Sequence, residues 1–228
     1  MNNGEIDDIL RRSARNPHQV DDALLDRITA SLGSSLRPVR PLPPPWILTL
    51  GLLCVTALVA VAAAAVLGFH GIRNLDPLRR VVIFPAVAIL TVLVSAVCVG
   101  EAIPGSRRLI PPRALPAAGS LALLVLFAAL FHNYHTERFV PQGIACLTAG
   151  LLVAIPAGLG CWFLLRRGFA VDPLAAGLAG GALAGLAGVA MLELHCPNFQ
   201  AMHILVWHTA VMPLSAAAGA VLASRVRR

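Results

Sequence analysis

The side chains able to do chemistry crowd into one stretch. Between positions 193 and 208 lie Glu193, His195, Cys196, His203 and His208, while the runs on either side hold almost no ionisable groups. Polar groups pressed against apolar helices are costly unless they bind, pair or switch something, so this stretch is the first candidate for function. Thiolate, imidazole and carboxylate together suit zinc, copper or related soft ions. The spacing His195-x7-His203-x4-His208 matches no standard site. Five residues apart on an α-helix, His203 and His208 are expected to point about 140° from one another. His208 is then expected to bond a neighbouring helix rather than share a site.

The elements that must position these groups follow from composition. Of 228 residues, 57% are apolar and 13% charged, against about a quarter charged in a soluble domain. Charge is confined to the first 45 residues, the connectors and the last four positions. Six apolar segments each approach the roughly 20 residues needed to cross a bilayer. They run at about 46–68, 81–101, 117–131, 142–165, 173–192 and 202–223, the third being the shortest. The expected fold is all-α: a polytopic membrane protein of six transmembrane helices with both termini inside. A cytoplasmic tail of residues 1–45 precedes a bundle of residues 46–228.

The net charge of +7 supports the same topology rather than nucleic-acid binding. All eighteen basic residues are arginine, and the six-helix arrangement puts fourteen on the inner side. Only Arg73, Arg79, Arg80 and Arg138 fall outside, which is the positive-inside bias. A long polar N-terminus argues against a signal peptide. The cysteines (54, 98, 146, 161 and 196) form no CxxC pair. Cys54, Cys98 and Cys161 fall within spans and are expected to be small buried hydrophobes.

In the tail, residues 7–15 suit a short helix ended by Asn16-Pro17. Asp21 and Asp22 can cap a second, on which Leu24, Leu25, Ile28, Leu32 and Leu36 recur at helical spacing. Such a face can lie on the lipid surface, self-associate, or enter a partner's groove. Six acidic residues in the tail favour the partner over lipid. Prolines 38, 41, 43, 44 and 45 make a semi-rigid spacer. Glu101, at the inner end of the second span, is expected to pair with Arg107 or Arg108. Gly177, Gly181 and Gly185 form a small-residue ridge in the fifth span, suited to close helix packing.

The six-helix topology gathers Cys146, Cys196, Glu193, His195, His203, His132 and His135 at the outer face. Three uses are open. Cys146 and Cys196 face an oxidising side and could exchange thiol for disulfide if their Cα atoms come within about 7 Å. A metal could be taken by Glu193, His195, Cys196, His203, His132 and His135. The group could also be a structural polar cap.

At this point the residues carry a family likeness. His195-Cys196-Pro197, Val206-Trp207-His208 and the small-residue run 215–219 resemble the NrsF family of membrane anti-sigma factors. The likeness extends to Leu164-Leu165-Arg166-Arg167-Gly168, Ala145-Cys146 and, more loosely, residues 38–46 and 100–104. The resemblance implies six helices in a bacterial inner membrane, holding an extracytoplasmic-function sigma factor through the cytoplasmic N-terminus. It implies release when heavy metal or oxidant acts on outer-side cysteines, to which Cys146 and Cys196 correspond, with His195 and His208 in the histidine-bearing motif.

The expectation is therefore a non-enzymatic regulator with a sigma factor and membrane lipids as partners, no direct contact with nucleic acid, and a homodimer left open. It has no certain cofactor, only a transition-metal ion as a signal. The rival is a small metal or solute transporter or channel subunit, which would want ionisable groups at mid-membrane. A membrane enzyme would want a nucleophile elbow, an HExxH motif or a carboxylate pair, none of which is present.

Overall fold

The computed structural model describes residues 4, 5, 7, 8, 11, 22–35, 42–106, 110–168 and 170–226. Every regular element among them is helical. The chain divides into two units, Met1–Pro41 and Leu42–Arg228. In the first, α1 (Asp22–Ser35) presents Leu25, Ile28 and Leu32 at 46, 46 and 57% exposure. Residues 4, 5, 7, 8 and 11 are helical as well. Asp21, Leu36, Pro38, Pro41, the Leu24 side chain, most of the segment 7–15 and the Arg107–Arg108 pair expected for Glu101 lie outside the described residues.

The second unit is a helix bundle: α2 (Pro45–Leu67), a short α3 (His70–Asn74), α4 (Pro77–Ala102), α5 (Leu115–Leu130), α6 (Phe139–Leu165), α7 (Pro173–His195) and α8. The last runs through Ala201–His203, a π-helical stretch Ile204–His208, and Thr209–Val226. Helix starts follow local chemistry. Asp76 accepts the Arg79 backbone N–H at 2.9 Å, and Asp172 accepts that of Ala175 at 3.2 Å. A proline follows each cap, where its missing N–H costs nothing. Asp76-Pro77 thus begins α4 four residues ahead of the expected span at 81–101. The Ala175 N–H, followed by nearby Arg113, holds the Asp172 carboxyl below its ordinary value.

Five helices are long and apolar enough to cross a membrane: Pro45–Leu67, Pro77–Ala102, Phe139–Leu165, Pro173–His195 and Ala201–Arg225. They mark a multi-pass membrane protein. The sixth apolar helix, α5, has 16 residues, about 24 Å at 1.5 Å per residue, short of a roughly 30 Å hydrocarbon core. It nonetheless connects the two ends of the bundle. Near its start, Arg113 pairs with Asp172 at 3.3 Å. Just past its end, the Phe131 ring lies 4.7 Å below the Arg79 guanidinium and stacks on Phe199 at 6.3 Å.

The helix at the centre is α7. From Ala182 to Val189 every residue is buried, as expected of a helix apolar on all sides. Its glycine ridge meets α8 backbone to backbone. Gly177 faces the Gly219 carbonyl, Gly181 faces the Ser215 carbonyl, and a Cβ on Gly185 would fall 2.7 Å from Met212 Cα. On another face Gly188 meets the Gly150 carbonyl of α6. Cys98 and Cys161 are buried as expected, but Cys54 is exposed. The buried stripe of α2 is Leu48, Leu52, Thr56, Ala60 and Ala64, four residues apart, and position 54 falls off it onto the outer surface.

Substituting Gly185 with leucine drives a side chain into the α8 backbone, which no rotamer change relieves. Overpacking of this kind typically costs about 1–3 kcal/mol. Gly185→Leu is expected to lower the midpoint of unfolding in detergent, whereas Gly180→Leu, where a Cβ meets nothing within 4 Å, is expected to leave it unchanged. Equal effects would rule out the ridge as the packing contact.

Candidate functional site

At the end of the bundle where α2 and α7 finish, three helices deliver four metal-ligand groups to one point. Cys146 comes from the second turn of α6, Cys196 caps α7, and His203 and His208 come from the first turns of α8. One donor atom from each lies within 4.8 Å of all the others. The two sulfurs are 3.5 Å apart, and Cys196 Sγ is 3.5 Å from His203 Nε2. Cys196, His203 and His208 are buried and Cys146 is half-buried.

Close backbone approach assembles the cluster. The Gly150–Gly188 contact, one turn along α6 from Cys146, pins α6 to α7. The α3 helix closes the end, its Gly71 resting directly on the backbone carbonyls of Glu193 and Cys196. Trp207 lies against Gly143 and beside Phe139 at 5.4 Å.

The expected divergence of His203 and His208 does not occur. Residues 204–208 form a π-helical turn, in which bonding runs from i to i+5, so residues five apart stack over one another. The two rings sit 5.3 Å apart, edge to face. The ladder is interrupted again just beyond: Pro213 has no N–H to give the Thr209 carbonyl, and the Thr209 hydroxyl bonds back to Leu205 O.

Glu193 does not join the four donors directly. Its Oε1 lies 2.7 Å from His208 Nδ1, both side chains being buried. A carboxylate oxygen can only accept, so the proton of this bond is on Nδ1 and the ring turns Nε2 away from Glu193. His208 Nε2 and His203 Nδ1 find no hydrogen-bond partner. The contact with the Cys146 sulfur, reinforced by burial, pushes the Cys196 thiol above its ordinary range.

The other histidines expected in a metal group stand apart. His195 Nδ1 bonds the Gly68 carbonyl at 2.8 Å, with its ring against His70 at 5.9 Å. His135 Nδ1 bonds Asn133, and His132 is exposed. Above the cluster a polar cleft is lined by Glu137, Arg138, Gln142, Pro197, Asn198 and Gln200. Gln142 and Asn198 bond across it at 2.8 Å. Sequence reasoning assigned Cys146 a thiol role only and set His208 aside. The signal that would have joined them, a π turn, has no residue signature.

Comparison with known proteins bears on what this end serves. The model of the NrsF family, described as negative regulator of sigma F, matches residues 32–228. The chain belongs to that family. No curated protein and no solved structure matches it. The family's description makes this NrsF chain a negative regulator with a sigma factor as partner, and residues 32–228 contain the whole bundle together with its cysteine–histidine cluster.

Losing one member of the Glu193–His208 pair strands the other in the interior, at a cost of about 1–3 kcal/mol for an unsatisfied buried group and more for a charged one. Glu193→Ala and His208→Ala are each expected to lower stability in detergent. The double variant is expected to lose less than the sum, since contacting residues couple by about 0.5–3 kcal/mol. Strict additivity in the denaturation midpoints would refute the pairing.

Proposed function

We propose that this protein is a non-enzymatic anti-sigma factor of the bacterial inner membrane, holding an extracytoplasmic-function sigma factor through its cytoplasmic tail. Six crossings put both termini inside and the cysteine–histidine cluster outside. There, metal capture or thiol oxidation alters the packing of α6, α7 and α8 and biases release of the partner.

Membership of the NrsF family carries this reading. Three features support it. The leucine face of α1 is exposed at Leu25, Ile28 and Leu32, the arrangement of a helix that docks in a groove. Arginines are distributed fourteen to four across the proposed topology. The α5 helix links the two ends of the bundle, as a sixth crossing requires. The cluster and the tail then lie on opposite sides of the bilayer. A coupling of about 1–3 kcal/mol between them suffices for a 5- to 150-fold change in binding.

Full-length protein in detergent is expected to co-purify with a sigma factor encoded beside it. Leu25→Asp together with Ile28→Asp places two charges on the docking face. At about 2 kcal/mol for each central apolar anchor, sigma capture is expected to fall at least 30-fold, while yield and elution of the membrane protein stay unchanged. Absence of capture by the unaltered full-length chain sinks the reading, and unchanged capture by the double variant moves the partner site off α1.

A further inference from the structure

The donor geometry at the cluster specifies a ligand class. We propose that Cys146, Cys196, His203 and His208 form a four-coordinate site for a divalent cation of the zinc class, oriented by Glu193 and reached through the polar cleft of Gln142, Asn198 and Gln200. The proposal rests on the reading of this end as the signal input and names what that input binds.

Distances come first. With metal–sulfur bonds of about 2.3 Å and metal–nitrogen bonds of about 2.0–2.1 Å, the edges of a tetrahedral two-sulfur, two-nitrogen site are roughly 3.3–3.8 Å. The sulfur–sulfur and Cys196–His203 separations, both 3.5 Å, fall inside that range. No pair of donors exceeds 4.8 Å, so closure on an ion needs side-chain adjustment and no movement of a helix.

Orientation comes second. A metal-bound histidine generally gives its other ring N–H to a carboxylate, which fixes the ring and raises the basicity of the ligating nitrogen. Glu193 holds His208 in this way at 2.7 Å, leaving a buried, unpartnered Nε2. A structural polar cap has no use for such a nitrogen. A disulfide would engage the two sulfurs and leave both histidines unexplained, whereas a cation engages all four groups.

Charge and access agree. On binding, the ion sheds its waters, each thiol loses its proton to solvent, and two thiolates cancel the charge of the divalent cation. Two neutral imidazoles complete the shell, which suits a borderline-soft ion rather than a hard one that demands oxygen. Gln142 precedes Cys146 by one helical turn at the cleft, and Gln200 leaves a buried Oε1 unpartnered beside it. These amides offer a hydrated ion oxygen contacts on its way in.

The test uses full-length protein in detergent, kept reduced with a phosphine, stripped by a chelator and titrated with Co2+ and then Zn2+. One Co2+ per chain is expected, with the strong visible bands of tetrahedral Co2+ and an ultraviolet thiolate-to-metal band, both erased by Zn2+. Cys146→Ser and Cys196→Ser should each weaken the thiolate band. His203→Gln and His208→Gln should each weaken binding at least tenfold. Glu193→Gln should weaken it about 10- to 100-fold while the band positions are kept. Only variants that elute as the parent does, with parental helical content, are compared; Cys146→Ala, at a half-buried position, provides a second thiol variant. A six-coordinate Co2+ spectrum, or affinity unchanged by the histidine substitutions, overturns the site. Sigma capture by the same metal-free preparations is a separate readout. Capture without metal binding sinks the site and leaves the anti-sigma role standing, and metal binding without capture does the reverse.

Discussion

Backbone contact between α7 and α8 is the constraint on which the bundle depends. Inside a bilayer, lipid tails are as apolar as leucine, so burial alone gives helices little reason to associate, and close van der Waals packing must supply it. Gly177, Gly181 and Gly185 allow the α8 backbone to lie directly on α7, and the same helix receives Gly150 of α6 at Gly188. With α7 enclosed along its middle, the remaining helices form a shell that turns leucines, valines and isoleucines such as Leu58, Val66 and Val81 outward. A surface this apolar is a liability in water and a fit for lipid.

The cluster is a consequence of that packing. Cys146 sits one turn from the Gly150–Gly188 contact, Cys196 at the end of α7, and His203 and His208 in the first turns of α8. Their mutual distances are therefore set by the glycine contacts rather than by a loop. A change of a few tenths of an ångström at the donors bears directly on the α6–α7–α8 packing, the part of the bundle least able to deform without a switch in arrangement. On the proposed function, this packing is the route by which a chemical event at one end is felt at the other.

Much of this was legible in the residues. Apolar run length gave most of the segmentation, and four-residue glycine spacing announced the ridge. Other features depend on structure that side-chain chemistry does not encode locally. Cys54 looks like any buried cysteine until the α2 stripe is known. Whether α5 joins both ends of the bundle is decided by contacts at Arg113 and Phe131 rather than by its length. The pairing of His203 with His208 turns on a π-helical stretch, and a rule built on 3.6 residues per turn separates them. The Leu25–Ile28–Leu32 face was visible as periodicity, and all three side chains are exposed on α1.

The energetics of the cluster argue that it is poised rather than inert. A buried acceptor or donor without a partner forfeits about 1–3 kcal/mol, and two such nitrogens, His203 Nδ1 and His208 Nε2, sit within a few residues of each other. The Glu193–His208 contact compensates on one side of its ring only. A purely structural cap would relax toward side chains that satisfy each other. Of the two, His208 Nε2 lies where the four ligand atoms converge, whereas His203 turns its Nε2 and not its Nδ1 to the cluster, so a species that binds His208 Nε2 and both sulfurs together relieves the first of these costs. On the proposed function, energy released by a ligand there acts on the packing of α6 against α7 and α8, with the buried His208 imidazole as the group through which it acts.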